Sequence, residues 1–247
     1  MRVSFDTNAW ETIFGLGDAK CAPIHAALVD RRLEGFICES GFRIEAIRKR
    51  DRVSYFARPY MDCQLHGIVT RNDRQYMHWS IGPADDRHPG LPVEQADKLQ
   101  RALRAGVRLM RGSSWMGLPA PKEIRDPSLF APETAEAARK REQLQLDVST
   151  LIDRRGVGKA AFDAAGGWSE RVEDHPAAER LRKACAEWAD GELASAHIAY
   201  RNDVLCTNDF ARAAGKSIFD GKNRSWLTAE FGVVFRTVDE LVAEIAK

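Results

Sequence analysis

Four acidic residues in this chain stand where carboxylates can act together. Asp6 closes the run Val3-Ser4-Phe5, whose alternation reads as a short strand, and a helical pattern with Trp10, Ile13 and Phe14 follows at once. In an open α/β sheet such a residue lies at the carboxyl end of a strand, where ligands bind beside the first turn of the next helix. Asp209 repeats the layout, since Val204-Leu205-Cys206 reads as a buried strand ending in Thr207-Asn208-Asp209. Glu45 and Glu192 are assigned to helices. Glu45 stands beside the apolar pair Phe42 and Ala46, and Glu192 shares a helical face with Ala196 and Ala199, four and seven residues later. Asp190, two residues before Glu192, is its rival.

Singly, each acid has an ordinary explanation. Asp6, Thr7 or Asn8 could cap the first helix, Glu45 could pair with Arg48 or Lys49, and Asp209 could close an Asx turn. His197 reads as a packed or exposed histidine. Together, four converging carboxylates repel, and a divalent cation relieves that repulsion. A donor set of hard oxygens selects Mg²⁺ or Mn²⁺, and such a site supports phosphodiester hydrolysis. Asn8, Thr207 and Asn208 are the polar residues that would support it.

The elements that must position these acids follow from periodicity. After the strand Val3–Phe5 and the first helix, a second helix begins near Pro23, and Gly35-Phe36-Ile37-Cys38 reads as a second buried strand ending in Glu39 and Ser40. Two strands, 64–69 and 76–81, flank the turn signal at 71–73. Helices are expected over 93–105, 133–155 and 156–167, with a short strand at 107–110. Near the C-terminus the reading is a helix over 177–190 broken at Gly191, a second helix over 192–200, the strand 204–206, a strand pattern over 231–235 and a closing helix over 238–245. The whole is expected to be one α/β/α three-layer domain, 1–247, around a parallel sheet, with a helix-rich insertion over roughly 61–175.

Composition bounds the rest. With 37 basic and 36 acidic residues the net charge of +1 implies no partner by itself, but the local distribution does. Arg48, Lys49, Arg50 and Arg52, with Tyr55 and Phe56 interleaved, form a basic aromatic stretch suited to an RNA backbone and its bases. The alternative is a solvated helix face. Five cysteines without a CxxC pair fit a reducing compartment. No run approaches the roughly 20 apolar residues of a membrane span, and no secretory signal is visible. The expected location is cytoplasmic, with no membrane partner.

The triplet Asp6-Thr7-Asn8 after a strand, an acid on the helix after the second strand (Glu45), an acid with small residues four and seven later (Glu192, Ala196, Ala199) and Thr207-Asn208-Asp209 resemble the PIN-domain nucleases. The resemblance covers about 1–52 and 190–247. It implies a Mg²⁺- or Mn²⁺-dependent endoribonuclease, a hydrolase of single-stranded RNA, with Asp6, Glu45, Glu192 and Asp209 as catalytic and metal-binding acids. Relatives include toxins of toxin-antitoxin pairs, so an antitoxin partner is a further expectation, and a homodimer is allowed. The family's third acid is usually Asp, and the long middle segment has no counterpart in it. A haloacid-dehalogenase-type phosphatase would need a second Asp where Asn8 stands. A non-catalytic PIN-like scaffold binding RNA or protein is the remaining alternative.

Overall fold

The computed structural model describes residues 1–15, 19–48, 51, 62–71, 74–82, 88–113, 120–167, 175–210 and 216–246, without the side chains of 45, 62–71, 74–82, 175–178 and 182. Five parallel strands form the central sheet: β1 (Arg2–Phe5), β2 (Glu34–Cys38), β5 (Arg108–Met110), β6 (Val204–Cys206) and β7 (Val234–Arg236), in the order β5-β2-β1-β6-β7. The chain works outward from β1 to β2 and β5, then returns to the other side of β1 for β6 and β7. Strand order therefore reverses between β1 and β6, which makes the carboxyl ends of those two strands the natural crevice of the sheet. Register aligns Phe5 with Ile37 on one side and with Cys206 on the other, so Asp6 and Thr207 emerge side by side.

Period-two alternation divides the strands between two cores. Val3, Phe5, Ile37, Leu109, Val204 and Cys206 face a core completed by helices α1 (Thr7–Ile13), α2 (Ala22–Val29), α3 (Val93–Arg104) and α8 (Val238–Ile245). Phe36, Cys38, Met110 and Leu205 face a second core with α4 (Ala135–Arg154), the long helix α6 (His175–Ala199) and α7 (Gly221–Phe231). This is a three-layer α/β/α fold in which the inner strands β1, β2 and β6 are buried on both faces, as a parallel sheet requires, while the edge strand β7 is more open. A smaller core of Ile44, Ile47, Phe162, Leu181, Cys185 and Trp188 joins α5 (Lys159–Ala164) to the first half of α6.

The fold refines three expectations. The segment 61–175, expected as an insertion within the one domain, supplies part of the sheet and of both layers: β5 pairs with β2, α3 completes one layer and α4 the other. Only the antiparallel hairpin β3 (Asp62–Arg71) and β4 (Arg74–Gly82) forms a sheet of its own. Secondly, α6 runs unbroken through Gly191. A Cβ there would lie 2.9 Å from the Cα of Gly158, so this glycine is needed for close contact between α6 and the turn before α5, and the helix tolerates it. The last strand also starts later than its pattern suggested, because Phe231 ends α7 and Gly232 takes the left-handed cap at φ 71°. The closing helix α8 begins with a capping box formed by Thr237 and Glu240.

Candidate active site

The β1–β6 crevice is built around Asp6, which is 4% exposed. Asp6 is the N-cap of α1, its Oδ1 accepting from the Thr7 N–H at 2.6 Å. The capping explanation is therefore correct, but it uses one oxygen. The other, Oδ2, accepts from Thr207 Oγ1 at 2.6 Å and from Asn8 Nδ2 at 2.6 Å. Asn8 Oδ1 in turn accepts from the Asn208 N–H at 2.8 Å, and Asn208 Oδ1 accepts from the Val238 N–H at 3.1 Å. The two triplets read from the sequence thus interlock, with side chains of one bonded to the other across the switch point. Burial raises the Asp6 carboxyl above the ordinary Asp value, the charge of Asp209 pushing the same way while the donors of Thr207, Thr7 and Asn8 oppose it.

Asp209 is half-buried, and its N–H donates to Thr207 Oγ1 at 3.0 Å, so the turn is closed by the threonine hydroxyl and not, as an Asx turn would be, by the Asp209 carboxylate. Beside it stands Arg224, from the first turn of α7. Its terminal nitrogen donates to the Asp209 carbonyl and its Nε to the Phe219 carbonyl at 2.7 Å. Burial lowers the Arg224 pKa, and Asp209, Asp6 and Glu240 oppose that shift, so this cation lies within electrostatic reach of both strand-end acids. No local signal in the sequence singles out Arg224; only the fold brings it there.

On the β2 side of Asp6 is a crevice of about 10 Å³, lined by Asp6, Thr7, Ser40, Gly41, Asp190 and Leu193 among others. That is the room of a single water-sized body. Asp190, rather than Glu192, therefore shares a wall with Asp6. Two residues of α-helix turn a side chain by about 200°, so the pair cannot both face the same crevice. Glu192 instead lies 5% exposed, with both oxygens committed to Ser113: Oε2 accepts its N–H and Oε1 its hydroxyl, each at 2.8 Å. Burial raises its pKa, the Ser113 donors oppose, and the nearby charges of Glu39 and Asp153 add to the rise. The structure thus places Glu192 against Ser113, with Asp190 as the residue of this pair on the Asp6 crevice. The break inferred at Gly191 had made Glu192 the start of a new helix, and a continuous α6 changes which face it occupies.

Glu39, at the end of β2, is a strand-end acid that the sequence reading noted without using. Its Oε1 accepts from the Gly112 N–H at 2.7 Å and its Oε2 from Arg43 Nε at 2.9 Å. For Glu45 the backbone alone is described. It ends a π-helical turn, Gly41–Glu45, an element that recurs at functional sites. Arg48 is exposed, whereas Lys49, Arg50 and Arg52 lie outside the described residues. His197 is buried away from the crevice, its Nδ1 lying 2.9 Å from Ser4 Oγ, and burial lowers its pKa to about 4. It is neutral at pH 7 and part of the second core. Cys38 and Cys206 are buried thiols pushed up to about 12, which makes them small apolar residues.

The carboxylates and hydroxyls of Asp6, Asp190, Thr7 and Ser40 at the crevice are oxygen donors of the kind a hard divalent cation takes, and the Cys38 thiol lies beside them. A carboxylate has about four lone-pair sites, and three of those on Asp6 are used, which leaves one on Oδ1. Among the described residues no three His, Cys, Asp or Glu side chains are grouped closely enough to hold a metal ion, and Glu45 stands outside that count. Among the same residues no helix is long and apolar enough to cross a membrane. No protein-family model, no curated protein and no solved structure matches this chain.

Proposed function

We propose that this chain is a divalent-metal-dependent nuclease of PIN type that hydrolyses phosphodiester bonds of single-stranded RNA. The observation that carries the reading is the crevice beside the strand-order reversal, with Asp6 and Asp190 on its walls and Asp209 in electrostatic reach of Asp6. A fold that buries a carboxylate and surrounds it with further acids gives up stability, a cost that function explains more readily than packing does. Asp6, with Glu45 and one of Asp190 and Asp209, would hold Mg²⁺ or Mn²⁺. When bound, that ion supplies the Lewis acidity that lowers the pKa of water and offsets charge on the phosphate.

The chain's own residues have separable roles. Thr7, Asn8 and Thr207 fix the Asp6 carboxylate in one orientation, so no reorganisation is needed at the moment of reaction. Asn208 ties the β6 end to α8 and keeps the two triplets in register. Arg224 places a fixed positive charge beside the acids, where it can meet a phosphate oxygen. Arg48 and the basic residues that follow it are the proposed hold on the RNA backbone.

The test is incubation of the purified chain with mixed RNA and DNA in Mn²⁺, with and without a chelator. Cleavage of single-stranded RNA that stops on chelation is expected. Cleavage that continues unchanged in excess EDTA and in Asp6→Asn would end the reading. A second reading, a PIN-like scaffold that binds RNA without cutting it, is favoured by the lack of a tight three-acid group among the described residues. RNA binding without cleavage in any divalent metal would select it.

A further inference from the structure

An aromatic side chain stands in solvent directly beside the proposed site. Phe210 follows Asp209 and is 62% exposed, the one aromatic residue left so open among the described residues. A single exposed apolar residue is unremarkable in itself. What distinguishes Phe210 is how it is backed. The Arg224 guanidinium lies over its ring, 4.8 Å from the centroid, and over the Phe235 ring at 4.6 Å. The same guanidinium is tied by Nε to the Phe219 carbonyl and by a terminal nitrogen to the Asp209 carbonyl. Phe219 is fully buried and meets Phe235 edge-on at 6.2 Å. The exposed ring is thus the outer layer of a stack Phe210–Arg224–Phe235 that is anchored in the second core.

We infer that Phe210 is a stacking platform for an unpaired nucleobase next to the phosphate that is cut, and that it sets a preference for single strands. This rests on the nuclease reading above. The argument is geometric. A cation over one face of an aromatic ring binds it there, so the opposite face is the one left to take a ligand. A nucleotide offers both groups that this corner can hold: a flat π-system for the ring, and an anionic phosphate for the acid-bound cation and Arg224. Bases inside a duplex present edges and no free face, so a stacking platform selects single strands. Every base has a π face, so such a platform is tolerant of sequence. Because Arg224 is held by two carbonyls and two rings, the platform is rigid before the ligand arrives, which limits the ordering cost of binding.

The experiment compares wild type, Phe210→Ala and Phe210→Trp on a short single-stranded RNA in Mn²⁺, and on the same RNA with single abasic positions flanking the cut. Phe210→Ala should raise KM about tenfold, with kcat changed less than about threefold, and Phe210→Trp should restore KM. The abasic position next to the cut should weaken wild type about as much and cost Phe210→Ala nothing more. Affinity for the RNA, followed by fluorescence anisotropy on the same three proteins, should move with KM. An abasic penalty equal in wild type and Phe210→Ala, or a KM that ignores Phe210, overturns the platform while leaving the nuclease standing. A Phe210→Ala chain with unchanged RNA affinity and altered self-association overturns it in favour of a protein contact. A wild-type chain that binds and cuts no RNA overturns both proposals.

Discussion

Asp6 and Glu192 are both buried carboxylates at the carboxyl edge of one sheet, both raised in pKa by burial, and they come to opposite ends. Asp6 is held by donors from three residues on two segments, sits where strand order reverses, and borders a water-sized crevice shared with Asp190. Glu192 gives both oxygens to the one residue Ser113 and so clamps α6 to the end of β5. Both side chains are equally acidic by chemistry and nearly equally hidden. The difference lies in what surrounds them: Asp6 stands at the strand-order reversal with Asp190 on the same crevice and Asp209 in electrostatic reach, whereas Glu192 lines a separate pocket with Ser113, Asp153 and Lys159. Burial and a shifted pKa mark a carboxylate under constraint, and the neighbours decide whether the constraint is for chemistry or for structure.

The largest expected effect tests that division directly. Asp6→Asn should lower cleavage by on the order of a hundredfold or more, because it removes a carboxylate proposed to hold the cation that offsets charge on the phosphate. Asp190→Asn should cost roughly 10- to 100-fold. Glu192→Gln should stay within about threefold of wild type, because an amide can accept the Ser113 N–H and donate to its hydroxyl, keeping both contacts. Steady-state rates in Mn²⁺ decide the matter, and a Glu192→Gln chain as inactive as Asp6→Asn would erase the distinction between the two carboxylates.

Gly191 lies between Asp190 and Glu192 and touches Gly158. Replacing it with Ala would drive a Cβ within 2.9 Å of backbone and push α6 outward. The expected cost is about 1–3 kcal/mol. For a chain of this size that is a fall in Tm of roughly 2–4 °C per kcal/mol. Cleavage should fall with it, since Asp190 rides on α6. Thermal melting and rates measured on one preparation check this, and an unshifted Tm would mean that α6 and the α5 turn separate freely.

The smallest effect is a pH dependence that sharpens the contrast. A carboxyl whose folded pKa is raised contributes stability below its unfolded pKa, and that contribution is lost as pH rises through the folded value. Glu192→Gln removes this loss while keeping its contacts, so in EDTA its Tm should match wild type near pH 4 and exceed it at pH 7. Asp6→Asn removes the same penalty but turns an acceptor oxygen into a donor among the N–H and O–H groups of Thr7, Asn8 and Thr207, so its gain at pH 7 should be smaller or reversed. Melting curves from pH 4 to 7 in EDTA read both; a Glu192→Gln curve parallel to wild type would mean that burial imposes no charge penalty there.

The sequence by itself determined the parts that depend on neighbours in the chain. Alternation at Val3–Phe5 and Val204–Cys206 located the strands and hence the strand-end positions of Asp6 and Thr207, because side-chain direction in a strand follows from position parity alone. Tertiary structure decided what local rules do not reach. Whether Gly191 breaks a helix depends on Gly158, 33 residues earlier in the chain, and with it which of Asp190 and Glu192 meets Asp6. Arg108–Met110 joins the sheet through β2, far behind it in sequence, so the middle segment could not be told from an insertion by periodicity. Arg224 and Phe210 come together only because α7 folds back on the end of β6. Propensity and parity are properties of a few consecutive residues, while convergence on a site depends on contacts between distant segments that only the folded chain makes.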